Sequence, residues 1–215
     1  MSREIELKVP LSLEQFDRIE KIITKKEHVA FLKISSLSHI IKSDEYFSRY
    51  RTHEERLINK ELRVIRIRSE KNVLCEPSGI DIFGDKSENS EKSYFCIKRK
   101  TIENGVEFNS EYETFVENPE VLRVFFESSG FFKWFEKKKD ALSVFCKLEN
   151  TIEPLEAHLE LEKVNGLPYI EIEYTKNDIS PERVKSALKE IIRVLGVDPE
   201  KRDSRSWAEI INEKF

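Results

Sequence analysis

Seven stretches of the chain carry charged residues two positions apart: Glu4/Glu6/Lys8, Arg66/Arg68, Lys98/Lys100, Glu111/Glu113, Lys137/Lys139, Glu160/Glu162 and Glu171/Glu173. A β-strand alternates its side chains between two faces, so each set shares one face and the residues between, such as Ile5 and Leu7, share the other. Carboxylate pairs suit a hard divalent cation such as Mg2+ or Mn2+. Lys and Arg pairs suit phosphate oxygens through charge-assisted hydrogen bonds. A single strand of this kind reads as the solvated face of an antiparallel sheet. The repetition, without the usual admixture of Thr, Ser and Gln, points further. If the sheet closes, these faces line one polar interior, where acid would hold a metal and base a polyphosphate. A cluster of Lys and Arg with no polyanion would repel itself and be costly to desolvate.

The elements that must position these groups follow from periodicity and punctuation. A strand over Glu4 to Val9 stops at Pro10. Ser12 and Gln15 form a capping box for a helix with Leu13, Phe16, Ile19, Ile22 and Ile23 at helical spacing. His28 to Ile41 is apolar and β-leaning and leads into Ser43 to Phe47; Ser48 to Asn59 is charged and reads as a loop. Further strands are expected over Leu62 to Ser69, Tyr94 to Lys100, Glu107 to Val116, Phe132 to Lys139, Ala141 to Asn150, Glu156 to Val164 and Tyr169 to Tyr174. Residues 76–93 read as a long mobile connection and Glu103-Asn104-Gly105 as a hairpin turn. Asn118, Pro119 and Gly130 bracket a second helix, Ser180-Pro181 and Gly196 a third, and Trp207, Ile210 and Ile211 fall on a short fourth. About eight strands in meanders with few helices predict an α+β fold, a closed or nearly closed antiparallel eight-stranded β-barrel with helices outside.

Composition sets the bounds. The 215 residues fit one domain. With 37 basic and 41 acidic residues the net charge is −4, so any basic site is local and no nucleic-acid surface is expected. Three cysteines, Cys75, Cys96 and Cys146, without a CxxC pair argue against a disulfide framework or a zinc knuckle. No apolar run approaches the ~20 residues that span a bilayer, and a soluble cytoplasmic protein is expected. His28, His39, His53 and His158 show no metal-ligand spacing. Phe125 to Phe135 reads as core, or as part of a homodimer interface, and Asp81 to Glu91 as a solvated loop rather than a Ca2+ site.

In this order the motifs resemble those of the CYTH family, the triphosphate tunnel metalloenzymes, which include class IV adenylyl cyclases, thiamine triphosphatases and inorganic triphosphatases. Glu4-Ile5-Glu6-Leu7-Lys8 resembles the opening Glu-x-Glu-x-Lys strand. Asp44-Glu45-Tyr46-Phe47, Ile65-Arg66-Ile67-Arg68, Lys98 and Glu111-Tyr112-Glu113 follow in family order. Gly130-Phe131-Phe132 with Lys137-Lys138-Lys139, the segment Leu161 to Leu167, Glu171-Ile172-Glu173 and Arg205-Ser206-Trp207 complete the likeness. The chain departs from the pattern at Asn109 and Ser110, where an arginine usually stands, at Glu162 in place of Asp, at a shortened Gly166-Leu167-Pro168 loop, and at Trp207 in place of Tyr.

The resemblance implies an eight-stranded tunnel holding one or two divalent ions, Mg2+ or Mn2+, on Glu4, Glu6, Glu162, Glu171 and Glu173. Glu111 and Glu113 would support the site. Lys8, Arg66, Arg68, Lys98, Lys137 and Lys139 would grip a triphosphate, with Arg205 over one end. Glu6 or Glu173 would act as base or orient the nucleophile, with Lys8 beside them. The implied activity is that of a class IV adenylyl cyclase, ATP to cyclic AMP and pyrophosphate. An inorganic, nucleoside or thiamine triphosphatase is the close alternative, and a non-catalytic polyphosphate-binding module the alternative of another class. Tyr46, Phe47 and the segment to Asn59 would form the nucleoside end.

Overall fold

The computed structural model describes residues 2–25, 29, 31–61, 63–75, 91–103, 106–149, 155–176 and 178–214. His28, the turn residues 104–105 and positions 76–90 of the expected connection lie outside them.

The elements in chain order are β1 (Ser2–Pro10), α1 (Leu13–Lys25), β2 (Leu32–Ser48), α2 (His53–Ile58), β3 (Arg63–Cys75), β4 (Glu91–Glu103), β5 (Val106–Phe115), α3 (Pro119–Ser128), β6 (Phe132–Leu148), β7 (Glu156–Val164), β8 (Leu167–Tyr174), α4 (Pro181–Val194) and α5 (Trp207–Lys214), with a 3-10 turn at Pro199–Lys201. The architecture is α+β, an eight-stranded antiparallel sheet curled on itself. Its hydrogen-bonded order is β1-β5-β4-β3-β2-β6-β7-β8, and β8 pairs back onto β1 through Ile5↔Tyr174 to Pro10↔Tyr169. β2 and β6 run for 17 residues each, whereas β1 has 9 and β8 has 8. The ring is therefore complete only over the short strands, and beyond them the β2–β6 side continues as an open trough.

Local chemistry fixes the boundaries. Ser12 and Gln15 cap α1 reciprocally: the Gln15 amide donates to Ser12 Oγ at 3.1 Å and the Ser12 amide to Gln15 Oε1 at 3.0 Å. Asn118 caps α3 through Glu120 N, and Gly130 (φ 77°) ends it, with Phe131 N donating to Phe126 O. Between β7 and β8, Asn165 (φ 47°) and Gly166 (φ 85°) make a two-residue turn. Both central residues at positive φ is the geometry whose twist matches antiparallel strands. This accounts for the short loop before Pro168.

The outward faces of β1, β7 and β8, with Leu7, Val9, Leu159, Leu161, Ile170 and Ile172, pack on Phe16, Ile19 and Ile23 of α1 and on Val184, Leu188, Ile191 and Ile192 of α4. A smaller cluster joins Phe47, Ile67 and Phe126 under α3. Of the Phe-rich stretch expected in the core only Phe126 is buried, while Phe125 is 58% exposed on the other side of α3. Two further expectations are corrected. The charged segment after Ser48 is not all loop: Thr52 caps α2 by accepting from Glu55 N, and the helix buries Arg56. The two strands expected on either side of Asp140 are one, because the alternation of exposed and buried positions passes through Asp140 unbroken. No helix among the described residues is long and apolar enough to cross a membrane.

Candidate functional site

The inward faces of the strands enclose a cavity of about 1030 Å3. Glu4, Glu6 and Lys8 of β1, Arg66 and Arg68 of β3, Lys98 of β4, Glu111 and Glu113 of β5, Lys137 and Lys139 of β6, and Glu171 and Glu173 of β8 all line it. The strand pattern thus carries through: residues spread over 170 positions of sequence meet in one space. Register decides which charges face each other. Lys8 lies opposite Glu171 and Glu6 opposite Glu173; Asp44 of β2 lies between Arg68 of β3 and Lys137 of β6.

Three groups organise the interior. The first centres on Asp44, only 1% exposed. Arg68 donates to both its oxygens, at 2.7 and 3.0 Å. Lys137 stands 3.2 Å away and Arg66 3.7 Å. Burial alone would raise the pKa of Asp44, but Arg68, Arg66 and Lys137 outweigh it and hold the carboxylate well below its ordinary range. The second centres on Lys139, whose ammonium meets Glu160 at 2.9 Å, Glu171 at 2.6 Å and also Glu162. Lys42 donates to Glu160 as well. Glu162 is fully buried on the same inward face of β7 as Glu160, against Lys139, and does not itself line the cavity. Burial and the neighbouring Glu171 push its carboxyl up to about 8, against the pull of Lys139. Its carboxylate is grouped with those of Glu160 and Glu171 around Lys139.

The third group is carboxylate-rich. Glu4, Glu6 and Glu173 each bring an oxygen within 4.8 Å of the others. Lys98 stands 3.6 Å from Glu4, 3.7 Å from Glu6 and 3.8 Å from Glu111. Burial, then Glu173 and Glu111, raise Glu4 to about 7 despite Lys98. Carboxylates crowded so that one resists ionisation are short of positive charge, and oxygen-only donors at this spacing fit a hard divalent ion. A second set, Glu160, Glu162 and Glu171, meets the same spacing but is already occupied by the ammonium of Lys139.

Arg205 is placed differently from expectation. Its guanidinium is exposed, bound to Asp203 and Glu213, and does not line the cavity. Its carbonyl instead accepts from Lys8 Nζ at 2.7 Å. The cavity end is covered by the next turn of chain: the Trp207 ring lies 4.7 Å from Lys8 Nζ and 5.6 Å from Lys137 Nζ. Tyr46, Trp134 and His53 line the cavity too, the last stacked on Trp134 at 5.8 Å and 3.7 Å from Glu209 of the same helix as Trp207.

Several lining residues carry no role in the sequence reading. Lys42 alternates with Asp44 and Tyr46 on β2, and that period-two signal was available; Tyr46, expected at the nucleoside end, does line the cavity. His158 was read as scattered, yet it lines the cavity on the same face as Glu160, with Nε2 2.7 Å from Ser143 Oγ and Nδ1 2.9 Å from Glu173. Only the β8 register reveals that chain. Cys96, between Arg66 and Lys98, donates to Glu111 at 2.7 Å.

No protein-family model matches the chain and no curated protein does. Solved structures do. The PH1819 protein of Pyrococcus horikoshii superposes with a TM-score of 0.67 at 21% identity over 99% of both chains. A conserved hypothetical protein of Pyrococcus furiosus gives 0.61 at 22% over 96% of this chain and 98% of that one. A candidate adenylate cyclase of Vibrio parahaemolyticus gives 0.59 at 14% over 97% of each. At these identities the likeness is one of fold: this chain is built on the fold of a candidate adenylate cyclase, as its resemblance to the CYTH family implies.

Proposed function

We propose that the chain is a divalent-metal-dependent enzyme acting on a triphosphate inside the curled sheet, and that its reaction is the conversion of ATP to cyclic AMP and pyrophosphate. The observation that carries this reading is the convergence, on one cavity, of a crowded carboxylate trio, in which Glu4 is raised to about 7 even with Lys98 beside it, and a belt of Lys and Arg. In the free protein the belt is neutralised by carboxylates. A triphosphate would exchange with them, its oxygens meeting Lys8, Arg66, Arg68, Lys98, Lys137 and Lys139.

Glu4, Glu6 and Glu173 would hold Mg2+ or Mn2+, with Glu171 beside them. When bound, the ion would supply charge neutralisation to the phosphates. The chain's own residues do the rest. Lys137 and Lys139 sit on one β6 face and Lys8 on β1, so they fix the phosphates from two sides and orient the chain of phosphorus atoms. Glu6 or Glu173, cross-strand neighbours, would take the proton of the attacking hydroxyl. The aromatic end, with Trp134, Trp207, Tyr46 and His53, suits a base. A cavity of about 1030 Å3 is at the upper end of the ~300–1,000 Å3 of small-molecule sites, more than a bare triphosphate fills.

A second reading, hydrolysis of the terminal phosphate, is favoured by His158. Its contact with Glu173 gives that carboxylate a partner through which a proton from water could pass. Product analysis with Mg2+ or Mn2+ and ATP, inorganic triphosphate and thiamine triphosphate in parallel separates the readings. Cyclic AMP with pyrophosphate supports the cyclase. Orthophosphate, above all from inorganic triphosphate, makes it a triphosphatase. Tight binding without product makes it a non-catalytic module.

A further inference from the structure

On the outer side of the sheet a second pocket of about 580 Å3 is lined by Arg49, Lys60, Arg63 and Arg99, with Ile65, Phe131 and Glu61. Arg63 and Arg99 are direct cross-strand partners of β3 and β4. Like charges so placed, about 5 Å apart at Cβ, destabilise a sheet. All four cations are exposed, and among the described residues none has a carboxylate partner. The one acid in the pocket, Glu61, is committed to Arg56 at 2.6 Å and to Ser48 at 2.7 Å. Arg49 does no more than lie over the Phe131 ring at 5.4 Å.

The fourth cation is held at a conformational cost. Lys60 follows α2 with φ 53°, and the Glu61 amide donates to Arg56 O while the Lys60 amide donates to Leu57 O. That is the helix-ending motif in which glycine is the usual residue at the left-handed position. Here a lysine occupies it. Inside the cavity the cations face carboxylates; here four are gathered, without a carboxylate partner among the described residues, around a concavity that includes Ile65 and Phe131.

We propose that this outer pocket is an anion site for a small phosphate-bearing ligand. Guanidinium forks from Arg63 and Arg99 match phosphate oxygens in pairs, and the concave shape fits a compact anion better than an extended chain. The site is separate from the tunnel, but Glu61 belongs to the walls of both. Through Glu61 it reaches Arg56, which lies 4.1 Å over Trp134 at the tunnel's aromatic end. Occupation of the outer pocket is thereby placed to act on the tunnel mouth.

The test is calorimetric titration of the full chain with inorganic pyrophosphate, in wild type, Arg63→Ser/Arg99→Ser, Lys60→Gly and the tunnel variant Lys137→Ala. The expected result is two classes of site in wild type. The double Arg variant loses one class and keeps the other, and Lys137→Ala does the reverse. Each cation removed weakens the outer class about tenfold. Lys60→Gly weakens the same class while raising the Tm in anion-free buffer, since the left-handed position is then relieved. A purely structural lysine would not give that opposed pair. A single class of site, lost in Lys137→Ala and unchanged in the outer variants, overturns the proposal. So does binding of polyglutamate to this face with no outer pyrophosphate site. Failure of the tunnel class alone would count against the triphosphate reading and leave the outer site standing.

Discussion

Replacing Asp44 by Asn removes one negative charge from the middle of two buried cations, Arg66 and Lys137, and the half-buried Arg68. Arg68 loses a two-pronged partner, Lys137 one at 3.2 Å and Arg66 one at 3.7 Å. Breaking a buried ion pair on one side typically costs about 3–5 kcal/mol, because the remaining charge is left uncompensated. For a chain of this size 1 kcal/mol moves the Tm by roughly 2–4 °C, so the variant should melt about 6–20 °C lower. The sign with pH follows from the depressed pKa of Asp44, below its ordinary 3.8. Its stabilisation is complete above about pH 4 and is lost as pH falls through the lower folded-state value. The gap between variant and wild type should thus be full at pH 5 and above, and narrow only in stronger acid. Inorganic triphosphate supplies negative charge to the same cations, so it should raise the variant's Tm by more than the wild type's. Calorimetric or circular-dichroism melts at several pH values, with and without triphosphate, read all three effects. A fall of less than about 3 °C, or equal stabilisation of both proteins by triphosphate, would refute the view that Asp44 stands in for a polyanion.

Other outcomes follow from the same geometry. Glu6→Gln should abolish turnover with an unchanged circular-dichroism spectrum, and Lys137→Ala should weaken triphosphate binding about tenfold or more; unfolding of the first or unchanged affinity of the second would contradict those roles. Burial pushes the thiols of Cys96 and Cys146 up to about 12, so mass spectrometry should find both unmodified by iodoacetamide at pH 8 until the protein is denatured. Gly196 sits at φ +73°, with Arg18 against the place a Cβ would occupy. Gly196→Ala should cost about 1–3 kcal/mol, visible as a lower urea midpoint.

The strands and most of the cavity lining were legible because a charged interior reverses the usual pattern. Polar residues mark the inside, and Ile5, Leu7, Leu159 and Ile172 mark the face that α1 and α4 cover. Period-two alternation therefore stayed clean wherever both faces were committed. It failed where chemistry is set by register. The Ser143–His158–Glu173 chain joins β6, β7 and β8 across pairings that no single strand encodes. Arg205 was misplaced because a motif match fixes a position along the chain and not a direction; Asp203 and Glu213 draw its side chain outward. The helix α2 was hidden because half of its six residues are charged and it buries little beyond Arg56.

The way the ring closes has a temporal consequence. β1 precedes the other seven strands along the chain, yet it pairs only with β5 and β8. The partners of its carboxylates described above, Lys98, Glu111 and Glu173, lie far along the chain. Contacts this distant slow folding, since a long loop must be ordered before they are rewarded. Meanwhile β3, β4 and β5 can form local hairpin ladders. Glu6 meets Glu173, and Lys8 meets Glu171, only when β8 has docked. The β1–β8 wall is thus the last seam to be sewn, and a chain without β8 would carry part of the cationic belt without its full carboxylate trio.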